Sequence, residues 1–309
     1  MKHKPKITII LLSMFILTQF IGLYVVNSYS TEKIVEGVKV EVSAPSLPYG
    51  METPEIQREQ DFYTLFPSLI MAFVIAIFIM FLLTRFKVKF FLKLWFFVVV
   101  AIALGISFNS FLTPFQYSSI IAAVLALPLA FIKIFKRTFL VHNLTELFIY
   151  PGIAAVFVPL LNFWTVVILL VLISIYDIWA VWHSGFMQKM AKFQINELNI
   201  FSGFFLPHLS KIQRVKIKNM KKSELKKKKF KVNIAILGGG DVIFPIITAG
   251  VMLKTFGLSS AFFVLAGATL GLRYLFVKSE KKKFYPAMPF ITAGIFIGMI
   301  LFYLLYFLI

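Results

Sequence analysis

Two aspartates lie inside long apolar stretches of this 309-residue chain. Asp177 lies in the run VVILLVLISIYDIWAVW, and Asp241 lies in the run VNIAILGGGDVIFPIITAGV. A carboxylate at the centre of a membrane costs about 2.5–3.5 kcal/mol even on a lenient insertion scale, so a chain that keeps two of them uses them. Two carboxylates that face each other cannot both ionise easily, and they share a proton. Such a pair can activate a water for attack on a peptide carbonyl without a metal or a covalent intermediate.

The composition of the chain is typical of a protein with many membrane spans. Hydrophobic residues make up 60% of the sequence and the mean hydropathy is +0.88, whereas soluble domains are about 45–50% apolar. The chain has no cysteine, which excludes disulfides, thiolate nucleophiles and cysteine-bound zinc or iron–sulfur centres. Its histidines do not have the HExxH spacing of a zinc protease. We therefore expect no cofactor and no metal.

The net charge of +19, from 32 basic and 13 acidic residues, has a sufficient explanation in the membrane. The basic residues fall in short segments between the apolar runs, which is the pattern of the positive-inside rule. We therefore expect contacts between lysines and anionic lipid, and no binding of nucleic acid.

Nine segments are apolar enough to span a membrane, which takes about 20 residues. The first segment has a basic start and resembles a signal peptide, but its apolar run of about 20 residues exceeds the 7–15 of a secretory signal and favours an uncleaved span. The sequence thus predicts an all-α, polytopic membrane protein with nine transmembrane helices in a single integral membrane domain, 1–309. The predicted spans are roughly 7–27, 63–84, 90–111, 115–135, 145–161, 163–183, 232–253, 257–277 and 287–308.

The charges between the spans predict the orientation. Segment 28–62 is mostly acidic and is predicted to be an external loop, whereas the loop 184–231, which ends KNMKKSELKKKKFK, is basic and is predicted to be cytoplasmic. We therefore expect a plasma membrane protein with a cytoplasmic N-terminus and an external C-terminus. The cytoplasmic loop also contains FQINELNIFSGFFLPHLSKI. This stretch could lie along the membrane interface, but we expect a tethered loop whose lysines contact lipid.

The two aspartates are predicted to lie at similar depths. At a rise of 1.5 Å per helical residue, Asp177 is roughly 9 Å and Asp241 roughly 14 Å from the cytoplasmic side. Gly238–Gly240 lack side chains, so a second helix or a substrate backbone can come close. Pro245 leaves the carbonyl of Asp241 without its amide partner, and we expect an opening of the helix between these two residues. The residues alone leave several uses open: counter-ion, proton relay, transporter or ion-leak channel, and protease.

Three short motifs on the sixth, seventh and ninth predicted spans resemble those of the presenilin and signal-peptide-peptidase family. The sequence has Tyr176-Asp177, Gly238-Gly239-Gly240-Asp241 and Pro286-Ala287-Met288-Pro289 where that family has YD, GxGD and PAL. The resemblance implies an intramembrane aspartyl endopeptidase with Asp177 and Asp241 as the catalytic pair. It further implies that the remaining motif residues shape the site and bind the substrate: Tyr176, Gly238, Gly239, Gly240, Pro286, Ala287, Met288 and Pro289. Met288 stands in place of the leucine of PAL and is similar to it in volume.

The predicted orientation resembles presenilin, not the inverted signal peptide peptidase. It implies transmembrane-helix substrates with an external N-terminus, cut in the cytoplasmic half of the membrane. The short chain resembles a stand-alone prokaryotic, archaeal-type presenilin homologue. The need for partner subunits stays open.

Overall fold

A computed structural model of the chain describes residues 5–35, 38–41, 45–52, 59–86, 88–136, 138–183, 200–208, 233–279 and 285–308. Within these ranges, nine helices are long and apolar enough to cross a membrane, as the sequence predicts. The helices are α1 (Pro5–Ser28), α2 (Glu59–Arg85), α3 (Lys89–Leu112), α4 (Ser118–Phe131), α5 (Phe139–Phe157), α6 (Phe163–Trp182), α7 (Gly239–Phe256), α8 (Leu258–Lys278) and α9 (Met288–Leu308). A π-helical turn, Ile132–Lys136, extends α4, and a 3-10 turn, Val158–Leu160, extends α5.

Two short antiparallel sheets accompany the helices. In the first, β1 (Glu32–Val35) pairs with β2 (Val38–Glu41). In the second, β3 (Gly203–His208) pairs with β4 (Asn233–Gly238), so that the first residue of β3 lies opposite the last residue of β4. The second sheet leads directly into α7.

The second sheet corrects two expectations from the sequence. The seventh span was predicted as a helix from about residue 232, but its first part is the strand β4 and the helix begins at Gly239. The apolar stretch within segment 184–231 was predicted to be a tethered loop, but part of it is β3. A continuous run of apolar residues fits a buried strand as well as a helix, so the sequence did not reveal where β4 ends and α7 begins. Residues 184–199 and 209–231 of this segment, which include its lysine run, lie outside the described residues.

Helix α7 lies among α1, α5, α6, α8 and α9 and contacts each of them. The largest apolar core surrounds it and includes Phe15 of α1, Ile246 of α7 and Leu272 of α8, all of them fully buried. A Cβ atom on Gly22 would overlap the side chain of Ile246, so the close approach of α1 to α7 requires a glycine there. Helix α7 is thus held on several sides.

Helices α8 and α9 cross each other at backbone contact. A Cβ atom on Gly267 of α8 would overlap the carbonyl of Gly294 on α9, and the reverse is also true. Gly271 and Gly298 face the backbone of the opposite helix in the same way. Small residues four apart allow this approach between helices in a membrane. The pairing fixes α9, whose first residue contacts the candidate site.

Candidate active site

Helix α6 carries Asp177 in its C-terminal half. The helix begins with a capping box, in which the Asn162 side chain accepts from the Thr165 amide at 2.9 Å and the Thr165 hydroxyl accepts from the Asn162 amide at 2.8 Å. This pairing satisfies two amides that lack partners at a helix start. Asp177 is only 6% exposed, whereas the neighbouring Tyr176 is 39% exposed and its ring lies 6.4 Å from that of Trp179. Only the aspartate of the predicted YD pair is turned into the protein.

The Asp177 carboxylate is held by the start of α9. The backbone amide of Met288, the first residue of that helix, donates a hydrogen bond to Asp177 Oδ2 at 3.0 Å, and the amide of Ala287 also donates to this carboxyl group. Pro286, Ala287 and Met288 are buried, and the helix starts directly after Ala287. Pro289 therefore lies in the first turn, where a missing amide is harmless, as expected. The PAL-like segment and the YD segment meet at this carboxylate.

A second link between α6 and α9 lies one turn away from the first. The hydroxyl of Ser174 donates to the hydroxyl of Thr292 at 2.8 Å, and both side chains are buried. Ser174 precedes Asp177 by one turn of α6, and Thr292 follows Met288 by one turn of α9. The two hydrogen bonds together fix the start of α9 against the middle of α6.

Asp241 lies in the first turn of α7, directly after β4. Gly238 is the N-cap of this helix, and its backbone lies beside the Asp241 carboxyl group. A Cβ atom on Gly238 would lie 3.1 Å from Asp241 Oδ2, so the carboxylate folds back over the N-cap. An acidic side chain three residues after the N-cap commonly does this in a capping box. The chain thus positions Asp241 by means of its own helix start.

The prediction that the helix opens between Asp241 and Pro245 is wrong, because α7 is helical without interruption from Gly239 to Phe256. The change in backbone geometry comes before Asp241, where β4 ends and the helix begins. A strand advances about 3.3 Å per residue and a helix about 1.5 Å, so the residues of β4 span a greater length than they would in the predicted helix. Pro245 supplies no amide, but it lies early in a helix that is packed on several sides.

The structure places the two aspartates on neighbouring helices. Helices α6 and α7 contact each other, and the charge of Asp177 acts on the Asp241 carboxyl group. Asp241 is partly exposed, whereas Asp177 is buried. The arrangement can hold one proton between two carboxylates and place a water between them.

The three glycines before Asp241 differ in their surroundings. A Cβ atom on Gly239 would lie 2.8 Å from the Tyr150 hydroxyl and 2.9 Å from the Ser202 hydroxyl, whereas a Cβ atom on Gly240 would meet only the Phe244 ring, at 3.8 Å. The expected close approach to this segment is therefore present at Gly239, where α5 supplies the neighbour.

Sequence reasoning missed several residues around the site. The Gln19 side chain of α1 donates to the backbone carbonyl of Val242 at 3.0 Å, and Tyr150 of α5 reaches Gly239. Glu146 of α5 is also buried, at 1% exposed. It lies at the edge of the fifth predicted span, close to His142, Asn143 and Thr145, so its position did not single it out as the positions of Asp177 and Asp241 did. The amide side chain of Gln19 and the hydroxyl of Tyr150 carry no comparable signal.

Comparison with known proteins gives the family and the fold of the chain. The sequence model of the family described as "Signal-peptide peptidase, presenilin aspartyl protease" matches residues 34–308. No curated protein sequence is significantly similar to the chain. Two solved structures of a presenilin family intramembrane aspartate protease, in space groups C222 and P2, share its fold. The first has a TM-score of 0.61 at 15% identity and covers 96% of this chain and 99% of its own. The second has a TM-score of 0.59 at 15% identity, with 96% coverage of both chains.

The family assignment distinguishes between the two classes of function that the charge pattern leaves open. It supports proteolysis of transmembrane substrates, and nothing in the comparisons favours a transporter or ion-leak channel. The match spans all three motifs and both aspartates. The chain belongs to the signal-peptide peptidase and presenilin family and is an intramembrane aspartyl protease.

Proposed function

We propose that Asp177 and Asp241 are the catalytic pair of this protease. The observation that carries the proposal is that two acids from antiparallel spans lie within electrostatic reach of each other inside the bundle. Acids at this depth are costly and are kept for a use. Activation of a water by such a pair is the chemistry that an aspartyl protease requires.

In the proposed reaction the two carboxyl groups share one proton before the substrate is cut. The ionised member removes a proton from a water, whose oxygen forms a bond to the peptide carbonyl carbon. The protonated member gives its proton to the carbonyl oxygen, so that a neutral tetrahedral diol forms. A proton then moves to the peptide nitrogen, the C–N bond breaks, and the two ends leave as an acid and an amine.

Two helix starts stabilise negative charge at this pair. The Met288 and Ala287 amides face Asp177, and the Gly238 amide faces Asp241. Amides at helix starts favour negative charge, and in a site shielded from water their effect is larger than on a surface. The donors are already oriented in the absence of substrate, so no reorganisation is needed when charge develops.

The other motif residues are proposed to shape the site around the substrate. The segment before α9, Tyr285–Ala287, is not helical and lies beside Asp177, so its backbone can pair with an unwound substrate strand. Gly238, Gly239 and Gly240 keep side chains away from Asp241, and Tyr176 is proposed to border the site on the exposed side of α6. Pro286, Met288 and Pro289 fix the start of α9, through which the Asp177 carboxylate is held.

The protease is proposed to lie in the plasma membrane with its N-terminus in the cytoplasm and its C-terminus outside. Segment 28–62 would then be external, and the basic segment 184–231 would be cytoplasmic and would contact anionic lipid. The chain has no cysteine, so single cysteines can test this orientation. Ser46→Cys should react with a membrane-impermeant thiol reagent in intact cells, and Ser223→Cys only after lysis. The opposite result would reverse the orientation.

A cleavage assay tests the catalytic pair. Purified protein in detergent is mixed with a single-span test substrate, and the fragments are identified by mass spectrometry. Asp177→Asn and Asp241→Asn should each lower cleavage about 10³-fold, because the loss of one partner removes the general acid–base step. Asp61→Asn, in the first turn of α2, is the matched control and should cut normally. Retained cleavage in either site variant, with a normal elution profile, would refute the assignment.

A further inference from the structure

A buried ionic cluster lies beside the active site and has no part in the mechanism above. Lys133, in the π-helical turn after α4, places its Nζ 2.5 Å from Glu146 Oε1 and 3.2 Å from His142 Nδ1 on α5. The three residues are between 1% and 7% exposed. A buried charge without a partner is strongly destabilising, so the lysine and the glutamate hold each other in place.

The cluster continues to Tyr150, one turn further along α5. Tyr150 is 2% exposed, and its hydroxyl lies beside the Glu146 carboxylate and the Ser202 hydroxyl. Among the described residues, neither Glu146 Oε2 nor the Tyr150 hydroxyl has a partner in full hydrogen-bond geometry. An unsatisfied buried polar group costs about 1–3 kcal/mol, which favours pairing the two. The ionic pair therefore anchors Glu146, and Glu146 orients the tyrosine hydroxyl.

The Tyr150 hydroxyl lies beside the first turn of α7, which carries Asp241. A Cβ atom on Gly239 would lie 2.8 Å from this hydroxyl, so the two groups are in close contact. Gly239 is the first residue of α7, and Asp241 follows it by two residues. The Tyr150 ring is itself set by Phe204 of β3, at 6.0 Å between ring centres in an edge-to-face arrangement.

Helix α5 also holds the sheet that leads into α7. His142 Nε2 lies 2.9 Å from the Gly203 carbonyl at the start of β3. The Asn143 side chain makes two hydrogen bonds to the backbone of Phe205. It accepts from the Phe205 amide at 3.2 Å and donates to the Phe205 carbonyl at 3.1 Å. Because β3 pairs with β4, one face of α5 fixes the strand before Asp241 as well as the glycine beside it.

We propose that Tyr150 is a positioning residue for Asp241. Its hydroxyl, oriented by the buried Lys133–Glu146 pair, contacts Gly239 and sets where α7 begins, and hence where the Asp241 carboxylate lies relative to Asp177. This inference rests on the proposed catalytic role of Asp241. It assigns no direct contact between Tyr150 and the substrate.

The test removes only the hydroxyl. Tyr150→Phe keeps the ring against Phe204 and should lower kcat about tenfold with KM unchanged, because small displacements of a catalytic group are costly whereas substrate contacts stay intact. Tyr29→Phe is the matched control. Tyr29 is 8% exposed, and its hydroxyl donates to the Ile106 carbonyl at 2.8 Å, away from both aspartates. This hydroxyl also accepts from the Asn109 side chain at 3.0 Å, so Tyr29→Phe should lower Tm at least as much as Tyr150→Phe does, with kcat unchanged.

A double-mutant cycle separates positioning from a general loss of folded protein. Gly239→Ala adds a Cβ atom against the Tyr150 hydroxyl, so Gly239→Ala with Tyr150→Phe should lose less activity than the product of the two single losses. A multiplicative loss, a wild-type kcat in Tyr150→Phe, or an equal kcat loss in Tyr29→Phe would each overturn the inference. If Asp241→Asn still cuts, the proposed function fails instead, so the two failures are distinguishable.

Discussion

The two aspartates are positioned by opposite means. Asp177 lies within an uninterrupted helix, and its carboxylate is held by the Met288 amide, 111 residues away in sequence. Asp241 lies at the start of a helix, and its carboxylate lies against the N-cap of that helix, Gly238, three residues before it. The first depends on how two distant helices pack, and the second on the local path of the chain.

Because of this difference, the positions of the two aspartates should respond to substitutions in different parts of the molecule. The position of Asp177 should respond to changes in α9, whose start supplies the amide and whose glycines lock it against α8. The position of Asp241 should respond to changes at the junction of β4 and α7 and to the face of α5 that supports it. Substitutions that act on only one of the two aspartates can therefore test this difference.

Among substitutions that leave both aspartates in place, the largest effect is expected at the junction of β4 and α7. Gly239→Ala should lower kcat about 100-fold, or about 2.7 kcal/mol, because its Cβ atom would meet two hydroxyls at 2.8 and 2.9 Å. Gly240→Ala should stay within about threefold of wild type, since its nearest neighbour would be 3.8 Å away and alanine favours a helix. The measurement is kcat on a single-span test substrate.

These two variants are matched controls for each other, because they make the same change one residue apart. Equal losses would mean that backbone freedom, and not the contact with α5, is what the glycines provide. A loss confined to Gly240→Ala would contradict the local account of Asp241.

The arrangement of the spans and the two acids could be predicted from sequence for a physical reason. Membrane spans are long apolar runs, and an ionisable residue inside one stands out because it is costly. Asp177 and Asp241 were found in this way. Glu146 does not stand out in this way, because it lies at the edge of its predicted span among polar residues, and its partner Lys133 lies at a predicted helix end, where a lysine normally reaches the membrane surface.

The details that hold the carboxylates could not be predicted from sequence. The strand β4 and the helix α7 form one apolar run in the sequence, so the hydropathy does not change at the junction at Gly238. The Met288 amide is a backbone group, and any residue except proline would supply it. The contact of Tyr150 with Gly239 depends on how α5 and α7 pack, which a single sequence does not encode locally.

A substitution at the start of α9 tests how Asp177 is positioned. Met288→Pro removes the amide that donates to Asp177 and leaves the helix start intact, since proline fits the first helical position. It should lower kcat about 30-fold, because loss of one hydrogen bond to a charged group costs about 1.5–3 kcal/mol. Met288→Leu keeps the amide and a similar volume, so it should stay within about threefold. Equal kcat losses in the two variants would show that the side chain, and not the amide, holds Asp177.

The smallest effect is expected at the hydroxyl pair one turn away from Asp177. Ser174→Ala and Thr292→Ala each remove one partner of a buried 2.8 Å hydrogen bond, and hydrogen bonds between membrane helices are worth about 0.6 kcal/mol on average. Each variant should therefore lower kcat only about threefold, and the double variant should lose little more than either single one. A cycle of the four proteins gives the coupling between the two hydroxyls. Because Gly239→Ala acts on the Asp241 half, its loss should multiply with that of Ser174→Ala. Coupling between them would mean that α6 and α7 move as one unit and that the two aspartates are not positioned independently.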